Sequence, residues 1–260
     1  MPKNRIKLKQ TAAYFAAKLA AYFRDGQGIP MSYGKQKTLE CVKDALEEPE
    51  SFYKAPCVNW KGTVSDDSST YYSEVIAEYL LTRKPPGPQN IPAITRNKSY
   101  KTSHKDIQKQ VSRRYEERFA KKIAKECKDK PLGKLGRAID YQVPLKDNQK
   151  DNAGKIDLVT YDKKSSCVYL VEMKCGKNKE TLLRAALEIQ TYYCRLNREK
   201  FLNDFELNRS IAIKKILLLG PETLAYKEYK ESENLSDRPK LEKLLKILDV
   251  QIPDCREIFV

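Results

Sequence analysis

Apolar residues recur at helical spacing through the first third of the chain. Residues 11–23, 35–46 and 72–81 read as helices, with an irregular stretch around Pro49, Pro56 and Trp60 between the last two. Pro85-Pro86-Gly87-Pro88 follows, with Pro92 soon after, and so much proline makes a stiff linker rather than an element. Beyond Lys105 the period changes. Residues 106–127 read as a long helix, and 138–145, 155–162 and 167–174 as strands. Residues 181–197 read as a helix, 214–219 as a fourth strand before Gly220-Pro221, and 239–248 as a short helix, with a last strand in the tail. The predicted organisation is a mainly helical N-terminal region (1–84), a Pro-rich linker (85–104) and an α/β domain (105–260). The domain's core order is α-β-β-β-α-β on a mixed sheet.

The segment 155–174 carries the most information. Its turn, Lys163-Lys164-Ser165-Ser166, pairs residue 162 with 167, which sets Asp157 opposite Glu172. Lys174, two residues on, points to the same face as Glu172. The rest of that face is Val159, Tyr161, Val168 and Leu170. The other face shows Ile156, Leu158, Tyr169, Val171 and Met173. Both faces are apolar, so these are central, buried strands. Two carboxylates facing each other in a buried sheet repel and are poorly solvated. A divalent cation resolves that conflict, and hard oxygen ligands suit Mg²⁺ or Mn²⁺. The ammonium of Lys174 neutralises charge and can hold or activate a water. The plainer alternative is an Asp–Lys–Glu ion cluster at a strand end.

Composition narrows the partners. Charged residues make up 33% of the 260 and apolar ones 40%, the balance of a soluble globular chain. No run of about 18 apolar residues occurs, so no membrane span is expected. Net charge is +15, and +13 of it falls in the first 150 residues. A field of that sign suits polyanions, nucleic acid first, although plain solubility also accounts for it. The seven cysteines are scattered with no C-x-x-C pair, against a disulfide framework or a zinc knuckle and in favour of reduced, intracellular (cytoplasmic) thiols. His104 is the single histidine, which removes chemistries that need two. Basic residues precede the apolar run at 11–23, but Lys18 interrupts it and Gly26 ends it, as in an amphipathic helix rather than a targeting segment. Gly154-Lys155 is followed by Ile156, not Ser or Thr, so no phosphate loop of an ATPase is present.

Ile156-Asp157, then fourteen residues, then Glu172-Met173-Lys174 resembles the PD-(D/E)XK nuclease superfamily. Isoleucine stands where the name calls for proline. The resemblance covers about residues 106–220 and implies a restriction-endonuclease-like mixed sheet flanked by helices. It implies hydrolysis of phosphodiester bonds, mostly in DNA, with Mg²⁺ or Mn²⁺. By the same resemblance Asp157, Glu172 and the Met173 carbonyl bind the cation, and Lys174 positions the attacking water. Many members add a glutamate from the first core helix. Glu116 and Glu117 are the candidates, and with Val111 as origin they fall at about 140° and about 240° on the wheel. The apolar arc runs to about 160°, which favours Glu116 as ligand or acceptor from a metal-bound water, or as an edge glutamate paired with a nearby base. Gln190 sits within the stripe Leu182, Leu183, Ala186, Leu187, Tyr193 and Cys194. Gln190-Thr191-Tyr192-Tyr193 resembles the Gln/Tyr motif of RecB-type members, where the glutamine organises the active site. Here the tyrosines follow two and three residues on, not four.

Lys155, Lys177, Lys179 and Arg184 flank the motif and are candidates to grip phosphates. Arg113, Arg114, Arg118, Lys121, Lys122 and Lys125 crowd the polar side of the 106–127 helix, as a solvated face or in part a DNA-facing ridge. Sixteen tyrosines and Trp60 offer rings of the kind that stack on unpaired bases, without marking any one of them. The leading reading is a metal-dependent nuclease, on DNA ahead of RNA, endo- or exonucleolytic, and possible as a homodimer because cutting both strands often needs two copies. The alternatives are a catalytically inactive nucleic-acid-binding protein on the same fold and a basic adaptor with a structural ion cluster.

Overall fold

The computed structural model describes residues 33–104, 114–147, 154–230, 235–254 and 258. The predicted helix at 11–23 lies outside these residues, as do Val111 and Arg113 of the predicted 106–127 helix. From Tyr33 onward the chain forms one compact unit. Its centre is a five-stranded mixed sheet in the order β3 (Arg137–Pro144), β4 (Lys155–Asp162), β5 (Cys167–Lys174), β6 (Ala212–Leu219) and β7 (Val250–Gln251). Strands β3, β4 and β5 are antiparallel neighbours, and β5–β6 and β6–β7 are parallel. The tight turn at 163–166 permits the antiparallel step. The parallel step needs a crossover, supplied by α4 (Leu182–Arg195) and α5 (Arg198–Asp204). Strand β5 is buried at every position, as its unbroken apolar run requires of a central strand.

The expected hairpin register holds, with Asp162 paired to Cys167 and Leu158 to Val171. Each sheet face buries its own cluster. Val159, Val168, Leu170 and Leu217 pack with Leu183, Ala186 and Leu187 of α4, while Leu158, Tyr169, Val171 and Met173 pack with Ala120 and Ile123 of α3 (Tyr115–Glu126). Ile156 departs from strict alternation. It joins Val159, Val143 and Leu145 instead of Leu158, beyond the point where the pairing of β4 with β5 ends.

The N-terminal elements are α1 (Lys35–Ala45), two 3₁₀ turns (Phe52–Lys54 and Pro56–Asn59), a hairpin of β1 (Thr63–Val64) and β2 (Asp67–Tyr71), and α2 (Tyr72–Thr82). They share the core of the sheet: Phe52, Tyr53, Cys57 and Val58 belong to the same buried cluster as α4. Glu74 of α2 accepts from the Lys240 and Leu241 N–H groups (3.0 and 2.8 Å) at the start of α7 (Pro239–Ile247). Its carboxylate thus satisfies orphan donors at a helix N-terminus. Glu228 of α6 (Leu224–Lys230) does the same for the Leu182 N–H of α4 (2.7 Å). The Pro-rich stretch 85–104 therefore runs across this unit instead of separating two. Ile94 donates to the Arg195 carbonyl (2.9 Å), Arg96 bonds the carbonyls of Lys146 and Ser99, and Tyr100 is fully buried with its N–H on Asp204 (2.8 Å). Proline stiffens the stretch, but its buried side chains fix it to the core. No helix among the described residues is long and apolar enough to cross a membrane.

Candidate functional site

The site lies where β4 and β5 deliver polar side chains at one end of the sheet. Asp157 leaves β4 just past its last pair with β5. Its carboxylate accepts from the Met173 N–H at Oδ2 (3.0 Å) and from the Gln142 amide at Oδ1 (2.8 Å). Gln142 takes a left-handed φ of +50° within β3, a costly conformation for a non-glycine residue. Glu172 and Lys174 follow on β5, and all three charged groups are buried.

The ammonium of Lys174 has three protons. It lies 2.9 Å from Glu172 Oε1, 2.8 Å from Glu188 Oε2 and 2.6 Å from Glu180 Oε2. Glu188 comes from the middle of α4, and its second oxygen accepts from the Tyr192 hydroxyl one turn on (2.7 Å). Glu180 precedes α4 and is shared with Arg184, whose Nε is 3.1 Å away. The Tyr53 ring meets Tyr192 edge-on at 5.8 Å between centroids, which seats the N-terminal part against the site. Gly154, just before β4, has φ +85°, and a Cβ there would lie 2.4 Å from the Tyr192 ring. Only glycine lets this loop pass over Tyr192.

Burial sets the electrostatics. It pushes the Asp157 carboxyl up to about 6, against the Met173 N–H and the Lys174 charge that favour ionisation. Glu172 is raised well above the usual carboxylate range, first by burial and then by the charges of Asp157 and Glu188. Burial opposes the charge on Glu188 too, but Lys174 and the Tyr192 hydroxyl outweigh it and hold that carboxyl low. Burial also opposes the charge on Lys174, and its ring of carboxylates keeps it well above the ordinary lysine value. Glu172 Oε2 is buried with no hydrogen-bond partner. A carboxylate oxygen in that state is costly unless a cation or a proton satisfies it.

These groups floor a cavity of about 550 Å³, with Arg114, Lys146 and Lys155 on its lining. Among the described residues no group of three or more His, Cys, Asp or Glu side chains forms a metal cage. The donors on offer to a cation are the carboxylates of Asp157 and Glu172, with the unpartnered Glu172 Oε2 foremost, and the Met173 backbone. A hard divalent ion fits that set, since Mg²⁺ keeps several waters and needs only one or two carboxylates.

The structure thus brings together Asp157, Glu172, Met173, Lys174, Glu116 and Lys155 at one cavity. Glu116 accepts from the Asn178 amide (3.1 Å), and Glu117 lines the same cavity, so both helix glutamates reach it. Lys177 and Lys179 are exposed on the loop after β5. Arg184 lies beside Glu180, its Nε 3.1 Å from the carboxylate. Gln190 requires a correction. Its amide donates to Cys194 Sγ (3.1 Å) and accepts from Lys215 Nζ (2.9 Å), and it bonds none of the site carboxylates. The positions of α4 that do reach the site are Glu188 and Tyr192.

Sequence reading also missed Gln142, Glu180, Glu188 and Tyr192. Arg184, Glu188 and Tyr192 are spaced four apart, which stacks them on one helix face and was a usable signal. The left-handed turn at Gln142 left no trace in the sequence. No protein-family model matches the chain, and neither a curated protein nor a solved structure does so.

Proposed function

We propose that the chain is a metal-dependent nuclease that hydrolyses phosphodiester bonds, with DNA as its substrate ahead of RNA. The observation that carries this reading is the convergence of Asp157, Glu172 and Lys174 from adjoining strands, with one buried Glu172 oxygen unpartnered. The sheet order, two antiparallel steps and then a parallel one between α3 and α4, is the order a restriction-endonuclease-like core calls for. Glu188 and Tyr192 supply the spacing of four that a RecB-type helix motif carries, with glutamate in place of glutamine.

Asp157, Glu172 and the Met173 carbonyl would hold Mg²⁺ or Mn²⁺, with Glu116 as a further ligand or an acceptor from its waters. Bound there, the cation would neutralise the carboxylates and polarise a phosphate oxygen. Gln142 and the Met173 N–H hold Asp157 in place through both of its oxygens. Lys174 orients the attacking water, and it can do so only by giving up one of its three carboxylates. Glu180 is the one to leave: its side chain is 25% exposed against 6% for Glu172 and 14% for Glu188, and Arg184 stands ready to keep it. Lys146, Lys155 and Arg114 on the lining face the phosphates that flank the scissile bond.

One observation favours the second reading, an inactive nucleic-acid-binding protein on the same fold. All three protons of Lys174 are taken, as in a purely structural ion cluster. Cleavage of single-stranded and duplex DNA in Mg²⁺, Mn²⁺ or EDTA separates the two. A nuclease cuts only with the cation and stops cutting as Glu172→Ala. Binding without turnover in every buffer supports the second reading.

A further inference from the structure

Tyr115 is the first residue of α3 and is 53% exposed, one of two large hydrophobic side chains so placed among the described residues. It fills no core. Its chain neighbours Arg114, Glu116 and Glu117 line the cavity, and the ring itself lies outside that lining. The ring stands over Gly176, where a Cβ would lie 3.6 Å from Tyr115 Cγ. The Arg118 guanidinium is 5.5 Å from the ring centroid. Lys177 and Lys179 are exposed on the loop that Gly176 begins.

An exposed ring beside a guanidinium, on the helix that also supplies part of an acidic cavity's lining, suits one chemistry. An aromatic face stacks on any unpaired base, and a guanidinium plane does the same or turns to a phosphate. A duplex keeps its bases stacked on one another and offers such a ring nothing. We propose that Tyr115 and Arg118 form a stacking subsite for an unpaired base of single-stranded DNA, with Lys177 and Lys179 on its phosphates. The subsite deepens the nuclease reading by naming single strands or frayed ends as the preferred substrate.

The test is fluorescence anisotropy with a labelled oligothymidylate and a hairpin duplex, both in EDTA so that nothing is cut. Tyr115→Ala is expected to weaken single-strand binding about tenfold or more, while Tyr115→Phe retains it. Duplex binding should change by less than about twofold in both variants. Equal loss on both ligands, no loss, or no single-strand binding by the unaltered chain overturns the proposal. Because no cation is present, the result is independent of cleavage. Should the chain fail to cut DNA while the Tyr115 pattern holds, the nuclease reading falls and the stacking subsite stands.

Discussion

Three carboxylates on one ammonium make Lys174 the residue on which the proposed chemistry turns. Glu180→Gln removes the most exposed of them and leaves Glu172 and Glu188 in place. Cleavage by that variant should stay within about threefold of the unaltered chain, about 0.6 kcal/mol, or rise, since Glu180 is the carboxylate that Lys174 gives up. Glu188→Gln is different. It takes a charge from beneath Lys174 and alters the acceptor of Tyr192, so chemical denaturation should register a loss of about 1–3 kcal/mol. Asp157 and Glu172, both raised chiefly by burial, share the pH dependence. The fold raises the Asp157 carboxyl to about 6, so without a cation the native state favours the protonated form. Stability then declines as pH rises from the ordinary carboxyl range through about 6, by an amount on the order of 3 kcal/mol. A cation that binds the ionised form opposes this. Mg²⁺ or Mn²⁺ should therefore raise the melting temperature near pH 7.5 or so, less as pH falls through about 6. The effect should vanish in Asp157→Asn. A cation effect that ignores pH would contradict the assignment. Asp157, Glu172 and Lys174 were legible because strand alternation fixes faces. Glu188 and Tyr192 left only their spacing of four as a signal, and it was passed over because α4 is buried on more than one side and a single apolar stripe misdescribes it. Gln190 lay in that stripe and so drew the assignment that belongs to its neighbours.

At the scale of elements, the longer strands and helices were legible, as were the short helix at 239–248 and the last strand in the tail, while other short elements were not. Strands β4 and β5 match the sequence reading residue for residue, since each has a turn at one end and a charge pattern at the other. The β1–β2 hairpin, α5 and α6 are too short for a period to be counted. Two junctions between elements depend on side chains far apart in sequence. Glu74 caps α7 across 167 residues, and its loss in Glu74→Ala should cost about 1–2 kcal/mol in denaturant unfolding without touching the cavity. Gly154→Ala meets both a left-handed backbone and the Tyr192 ring. It should destabilise the fold by about 1–3 kcal/mol and also lower cleavage, because it displaces the residue that steadies Glu188.

Over the whole molecule, a chain of net charge +15 encloses an acidic cavity. If the chain acts as proposed, its net positive charge would draw a polyanion by counterion release. The sequence did not place the division of the chain. Proline content pointed to a linker at 85–104, whereas the buried Arg96 and Tyr100 bind that stretch to the core and Tyr53 joins residues 33–84 to the site. Composition marks stiffness, and burial is decided by partners that composition does not name. The most direct measurement is the rate of oligonucleotide cleavage under single-turnover conditions as Mn²⁺ is titrated, for the unaltered chain beside Lys174→Ala and Glu172→Ala. The expected result is saturable, cation-dependent cutting that falls about 100-fold or more in both variants. Cutting that survives either substitution, or DNA binding with no cutting at any Mn²⁺ concentration, would contradict the assignment of this site to phosphodiester hydrolysis.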